Sequence, residues 1–238
     1  MPDFNLKPLL DYAKVNNISL PENAVESLTV YGNLLLEWNE KINLTAIKDP
    51  DEIVVKHFID SLSLLKIISP KSGESLIDVG TGAGFPGMVI KILRPELKVT
   101  LLDGHAKRFI FLEDLQNQLG IKAENLHIRA ELAAKEEKYR EKFDYVTARA
   151  VARLNTLSEY CMPFVKKGGT FVSMKGPGAE EELLEGKKAI EILGGDNLSI
   201  IKENLPMDNT RFFITAKKTK NTPEKYPRAS SKISKSPL

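Results

Sequence analysis

The chain has 238 residues, a formal net charge of +2, 42% hydrophobic and 28% charged residues, and a single cysteine, Cys161. That length suits one α/β domain with an extension, and the apolar content is enough to bury a core. One cysteine excludes an intrachain disulfide and a cysteine-rich metal site. No apolar run is long enough to span a bilayer, and the opening MPDFNLKPLL carries an early acid and no long apolar stretch, unlike a secretory signal, so a cytoplasmic protein is expected.

The first seventy residues read as helices. Ser19 and Glu22 are spaced as a capping box, and Val25, Leu28, Tyr31, Leu35, Trp38 and Ile42 follow as one apolar helical stripe. On that stripe Trp38 reads as core. A second start lies at Asp49-Pro50-Asp51-Glu52, where Asp49 caps, Pro50 fits the first turn and the acids suit the helix dipole. Val55, Phe58, Leu62 and Leu65 supply its buried face.

From Ser75 the pattern changes to short apolar strands at 76–79, 99–102, 126–129, 145–148 and 170–174, separated by helical stretches such as 106–119. Such alternation predicts a mostly parallel sheet covered on both faces. The segments 198–205 and 211–217, joined by Pro206-Met207-Asp208-Asn209, predict an antiparallel pair at the C-terminal edge. The expected organisation is a helical extension over 1–70, an α/β domain over 71–218 and a flexible basic tail over 219–238. From Lys217 onward seven basic residues face one acid, Glu224, leaving 27 basic and 31 acidic groups in the first 216 residues. A basic tail on a mildly acidic body suits a polyanionic partner, or equally a solvated terminus.

The first strand runs into Asp78-Val79-Gly80-Thr81-Gly82-Ala83-Gly84-Phe85-Pro86-Gly87, a turn of bare backbone leading into a helix near Pro86. In an open parallel sheet this is the expected ligand crevice. Residues 82–87 also satisfy the dinucleotide pattern G-x-G-x-x-G, a weak signal alone. Three features favour S-adenosylmethionine over a nicotinamide cofactor. Asp78, two residues ahead of the first glycine, suits ammonium and sulfonium charges better than a pyrophosphate. Helices precede the loop, and an antiparallel edge follows. Asp103, ending the second strand, suits ribose hydroxyls in either case.

Together DVGTGAGFPG, the upstream WNEKINLTAI and HFIDS, the later RAE and VTARAVAR, and the tail KNTPEKYPR resemble the glucose-inhibited division protein B family, over residues 31 to 228. The resemblance implies a 16S ribosomal RNA guanine-N7 methyltransferase with the class I S-adenosylmethionine-dependent fold, Rossmann-like with an antiparallel C-terminal edge and an N-terminal helical extension. By resemblance, Gly80 and Phe85 line the cofactor pocket, Ala130 and Glu131 flank the adenine, and Arg149 lies at the site. Arg129, Lys175 and Arg211 match basic positions that contact RNA or the active site. The cofactor set expected overall is Asp78, Gly80, Gly82, Gly84, Phe85, Asp103, Ala130, Glu131 and Arg149; Arg149, Lys175, Arg211 and Arg129 are expected to orient RNA and the target guanine. One departure is visible: Ala229-Ser230-Ser231-Lys232 stands where family tails often carry a Gly-Pro segment.

Guanine N7 has an exposed lone pair and no proton, so its methylation needs alignment and electrostatics and no general base. Cys161, between Tyr160 and Met162, reads as core rather than as the nucleophile that pyrimidine methylation requires. Arg149 can hold a phosphate or the guanine O6, and would share a helix face with Arg153 if the helix begins there; either arginine is otherwise a surface ion pair. His57, His105 and His127 show no ligand spacing, so no metal is expected; His57 reads equally as a cleft or an interface residue. The partner expected is 16S rRNA or a small ribosomal subunit, and the protein a monomer with no membrane association. An NAD-dependent oxidoreductase on the same loop, a non-catalytic RNA-binding assembly factor and a small-molecule methyltransferase remain open at this point.

Overall fold

The computed structural model describes residues 4–238. Helix α1 (Lys7–Val15) buries Leu9, Tyr12 and Ala13, and ends where Asn16 turns its side chain back to the Tyr12 carbonyl and Asn17 takes φ +54°, a conformation asparagine tolerates. Helix α2 (Ala24–Asn39) begins at Asn23 with no side-chain cap. The expected Ser19–Glu22 capping box therefore does not form, because Pro21 and two further residues intervene before the first helical turn. Leu28, Tyr31 and Leu35 of the expected stripe are fully buried, while Val25 is exposed. Trp38 is half-buried and donates to Asp114 Oδ2 at 2.8 Å.

Helix α3 (Pro50–Ile53) starts as expected: Asp49 Oδ1 accepts from Glu52 N at 2.9 Å. It continues through a π-helical turn, Val54–Ile59, into a short α turn, α4 (Asp60–Leu62), and a closing 3-10 turn, Ser63–Lys66. Such wide turns commonly mark functional sites, and this one carries His57 and leads to Asp60.

The remaining chain builds one seven-stranded sheet in the order β3-β2-β1-β4-β5-β7-β6. Strands β1 (Ser75–Val79), β2 (Lys98–Asp103), β3 (Glu124–His127), β4 (Phe143–Arg149) and β5 (Val165–Lys175) pair in parallel. Strand β7 (Asn209–Lys218) lies antiparallel between β5 and β6 (Gly195–Leu205). The expected antiparallel edge is present, with the final strand inserted rather than outermost. Strand β3 sits two residues earlier than expected, since Ile128 folds back onto Leu126 and Arg129 becomes the N-cap of the next helix.

Helices α5 (Gly87–Leu93), α6 (Ala106–Leu119), α7 (Ala130–Ala133), α8 (Leu154–Cys161) and α9 (Ala179–Ile192) cover the sheet. Strand alternation divides the core into two clusters. Leu76, Val99, Leu101 and Met174 face the N-terminal helices, α5 and α6; Ile77, Val79, Leu102 and Ala148 face the side that carries α8 and α9. The N-terminal helices are also tied to the hairpin, because Glu203 accepts from Tyr12 Oη at 2.7 Å and from Lys66 Nζ at 2.6 Å.

Residues 219–238 are docked, contrary to the expectation of a flexible tail. Fully buried Glu159 takes a fork from Arg228, with contacts of 2.6 to 3.1 Å. Arg140 donates to the Thr222 and Tyr226 carbonyls, each at 2.9 Å. A last short helix, α10 (Ser230–Lys235), buries Ile233 completely. Lys218, inside the fold, donates to Met162 O at 2.7 Å and pairs with Glu141 at 3.1 Å; burial pulls its ammonium down to about 8. Thus part of the tail's positive charge is internal structure, while Lys220, Lys225, Lys232 and Lys235 remain exposed.

Candidate active site

In this strand order the chain steps from β1 outward through β2 to β3, then crosses to β4 on the other side of β1 and steps outward to β5, so the switch point lies at the C-terminal ends of β1 and β4. The glycine loop occupies it. Gly80 and Thr81 donate their amides to Leu102 O at 2.8 and 3.0 Å, and Gly82 N donates to Asp103 Oδ2 at 3.0 Å. Gly80 has φ +74°, and a Cβ there would stand 2.6 Å from Val151 Cγ2, so two separate constraints demand glycine. Gly84 serves the other side: its missing Cβ makes room for the Tyr31 hydroxyl, which donates to Ala83 O.

Asp78 sits beneath this loop, fully buried, and lines neither of the cavities described below. Its Oδ2 accepts from Thr81 Oγ1 at 2.7 Å and from Gly87 N at 2.9 Å, while Oδ1 has no partner. Burial pushes the carboxyl up to about 6, against the opposing pull of those hydrogen bonds and of Arg149. An acid that already takes a first-turn amide of α5 disfavours a pyrophosphate at that place.

Beside the loop lies a cavity of about 460 Å³, walled by Gly80, Asp103, Arg129, Glu131, Val151 and Tyr160, with Ala130 on its lining. Asp103 Oδ1 accepts from His105 N at 2.9 Å, and Oδ2 also accepts from Arg108 Nη1 at 2.6 Å. Glu131 is buried and held by Arg129 Nε at 2.6 Å. A smaller cavity of about 200 Å³ shares Gly80, Arg108 and Ala150 with the first and adds Thr45, His57, Gly82, Phe85 and Arg149. Thr45 is placed there by Asn39, whose Oδ1 accepts the Leu44 and Thr45 amides at 2.8 and 2.9 Å.

Phe85 stacks on both His57, at 4.4 Å between centroids, and Tyr31, at 5.0 Å. Burial and the neighbouring Arg149 charge drive His57 down to about 3, so its ring is neutral. His57 Nδ1 lies 3.2 Å from Arg149 Nη2 and 3.1 Å from Lys56 O, and Nε2 lies 2.9 Å from Thr45 Oγ1, so both ring nitrogens are engaged. Arg149 Nη1 also donates to Asp60 Oδ2 at 2.7 Å. Arg211 grips the same fully buried carboxylate, through Nε to Oδ1 at 2.5 Å and Nη2 to Oδ2 at 2.9 Å.

Of the four residues expected to orient RNA, Arg149 lines the smaller cavity, and Arg211 joins it only through Asp60. Arg129 stands at the larger cavity. Lys175 lines neither: it is buried, donates to Ala152 O at 2.5 Å and pairs with Glu182 at 2.7 Å, bracing the turn that carries Ala150 and Val151. Arg149 ends β4 and Arg153 precedes α8, so they share no helix face; Arg153 is an exposed ion pair with Glu185 at 2.8 Å.

The family described as GidB, rRNA small subunit methyltransferase G, matches residues 24–210. The chain belongs to that family. Curated relatives named ribosomal RNA small subunit methyltransferase G include one from Acetivibrio thermocellus, 50% identical with 98% of this chain and 96% of the relative covered, and one from Desulforamulus reducens, 48% identical with 95% of each covered. Among solved structures, a predicted O-methyltransferase from Agrobacterium tumefaciens aligns with TM-score 0.54 at 19% identity, covering 66% of this chain and 79% of that one. A precorrin-6y C5,15-methyltransferase from Geobacter metallireducens aligns with TM-score 0.51 at 13% identity, covering 75% and 92%. The fold is the class I methyltransferase fold, as the sequence resemblance implies, and nothing in these comparisons supports the oxidoreductase or non-catalytic readings.

Several residues at this site carry no local signal. Asp60 sits in the HFIDS segment and Tyr31 on an apolar stripe, yet their polar atoms brace Arg149 and the glycine loop. Arg108 and Tyr160 look like ordinary helix-surface residues. Among the described residues no helix is long and apolar enough to cross a membrane, and no three His, Cys, Asp or Glu side chains are grouped to hold a metal. Cys161 is fully buried at the end of α8, and burial pushes its thiol well above the usual range, which removes the thiolate a nucleophile needs. Cys161→Ala is therefore expected to keep methyl transfer within about twofold while lowering stability by ~1 kcal/mol, measured by label incorporation and by denaturant unfolding.

Proposed function

We propose that this chain transfers a methyl group from S-adenosylmethionine to N7 of a guanine in 16S ribosomal RNA, without a general base. The observation that carries the reading is the pair of neighbouring cavities at the switch point: a larger one bounded by Gly80 and carboxylates, and a smaller one faced by His57 and Arg149, which share Gly80, Arg108 and Ala150 in their walls.

The residues present fit the cofactor. Asp78 contributes a buried carboxylate with an unpaired oxygen beneath the loop, and the bare backbone at Gly80 allows close approach. Asp103 Oδ1 accepts only one amide and retains acceptor capacity for a ribose hydroxyl. Ala130 and Glu131 bound the end of the cavity assigned to the adenine. Bound there, S-adenosylmethionine supplies a sulfonium methyl that the N7 lone pair can take, the carbon–sulfur pair returning to sulfur as a thioether.

No proton moves in that exchange, which matches the groups around the smaller cavity. His57 is neutral, and both its nitrogens are engaged, Nδ1 beside Arg149 and the Lys56 carbonyl and Nε2 by Thr45. Arg149 is a permanent cation whose donors suit guanine O6 or a flanking phosphate. Arg211, through Asp60, fixes where that guanidinium stands. The exposed lysines of the tail and exposed Arg129 offer sequence-independent attraction for an RNA backbone.

The experiment is incubation with methyl-labelled S-adenosylmethionine and unmodified 16S RNA or small subunits, followed by mapping of the label. Label at guanine N7 is expected. Label at another atom, or none on either substrate, overturns the reading.

A further inference from the structure

We propose that the C-terminal segment is part of the cofactor site: Ser230 is a positioning residue that holds Arg129 and Tyr160, and through Arg129 the Glu131 carboxylate, at the nucleoside end of the larger cavity. The inference rests on the cofactor assignment above and adds a component to it.

After β7 the chain runs back along the face covered by α8. Thr219 and Lys220 donate their amides to Gly194 O at 2.9 and 3.0 Å, and Thr222 N donates to Glu141 Oε1 at 2.7 Å. Arg228 then locks onto Glu159 of α8. Two residues later Ser230 Oγ stands 2.6 Å from Arg129 Nη2 and 3.1 Å from Tyr160 Oη. Both partners line the cavity, as does Glu131.

Arg129 shows why such an anchor matters. Its side chain is 61% exposed, and an exposed arginine left to itself samples many rotamers, whose loss on binding weakens a ligand. Here the guanidinium is held from both ends, by Glu131 at Nε and by Ser230 at Nη2. Glu131 in turn is fixed before any ligand arrives. Ile233, with no exposed surface, seats the helix that presents Ser230. A tail serving only as a peg would need Ile233 and Arg228; it would not need a hydroxyl aimed at two cavity residues.

The test is titration calorimetry of S-adenosylhomocysteine on the full chain, on Ser230→Ala and on a chain ending at residue 228, with tail amide exchange followed on the intact protein. We expect about fivefold weaker binding for Ser230→Ala, with an unchanged melting temperature, a raised KM for S-adenosylmethionine and an unchanged kcat. The shortened chain should lose tenfold or more. Because linkage is reciprocal, bound ligand must slow exchange of the Ile233 and Ser236 amides, which α10 holds. Wild-type affinity in both variants, or tail exchange indifferent to ligand, overturns the proposal while leaving the cofactor assignment standing. Absence of binding by the wild-type chain overturns both.

Discussion

Asp60→Ala is expected to lower stability by ~3–5 kcal/mol and to cut kcat/KM for methyl transfer by about a hundredfold or more. The carboxylate is fully buried, and both its oxygens are engaged by Arg149 and Arg211, whose side chains are only 12% and 21% exposed. Removing it leaves two guanidiniums facing each other with no counter-charge and little water. Each then moves toward solvent, and Arg149 leaves its place beside His57 and Phe85. For a chain of this size the stability loss corresponds to a melting temperature lower by on the order of 10 °C. Asp60→Asn keeps the shape but not the charge and should fall between, and Arg211→Lys should lose the fork while keeping the charge. Differential scanning calorimetry with parallel label incorporation decides it. An Asp60→Ala protein that melts and turns over like wild type would show that the two arginines are held by something else.

That cluster also marks where reading the sequence stops. Strand and helix positions are legible because each rests on local alternation: 106–119 coincides with α6, and every expected strand is present within a few residues. The Gly80 loop is legible because glycine spacing reports a backbone requirement. Asp60 is different. Its partners lie 89 and 151 residues away, and nothing in HFIDS by itself says that the carboxylate faces β4 and β7 rather than water. Ser230 is hidden in the same way, 101 residues from Arg129. Composition misjudges the tail for a related reason: its low apolar content conceals that Tyr226 and Ile233 are buried and that Arg228 finds a buried acid. Lys175, expected at the site from the family resemblance, is engaged in the fold by Ala152 and Glu182, partners that no local pattern announces.

Asp78→Asn should move stability and cofactor affinity in opposite directions. The folded protein holds the Asp78 carboxyl at about 6, against 3.8 for the free group. Between those values the folded state keeps a proton that the unfolded chain has released, so stability falls as pH rises through that window. Above pH 6 the buried charge is a standing cost of roughly 3 kcal/mol. Asparagine removes the charge and keeps an oxygen for Thr81 and Gly87, but it places an amide where Oδ1 now lacks a partner, offsetting ~1–2 kcal/mol of the gain. The variant should therefore be more stable than wild type at pH 8 by ~1–2 kcal/mol, and that advantage should vanish below pH 4, where wild type is protonated in both states. On the proposed cofactor assignment this buried negative charge beneath the glycine loop serves the cofactor's cationic end, so S-adenosylmethionine should bind the variant ten- to a hundredfold more weakly. Urea unfolding at both pH values and calorimetric titration test the two halves. A variant less stable at pH 8 with undiminished affinity would make Asp78 a structural brace for Thr81 and Gly87 and nothing more.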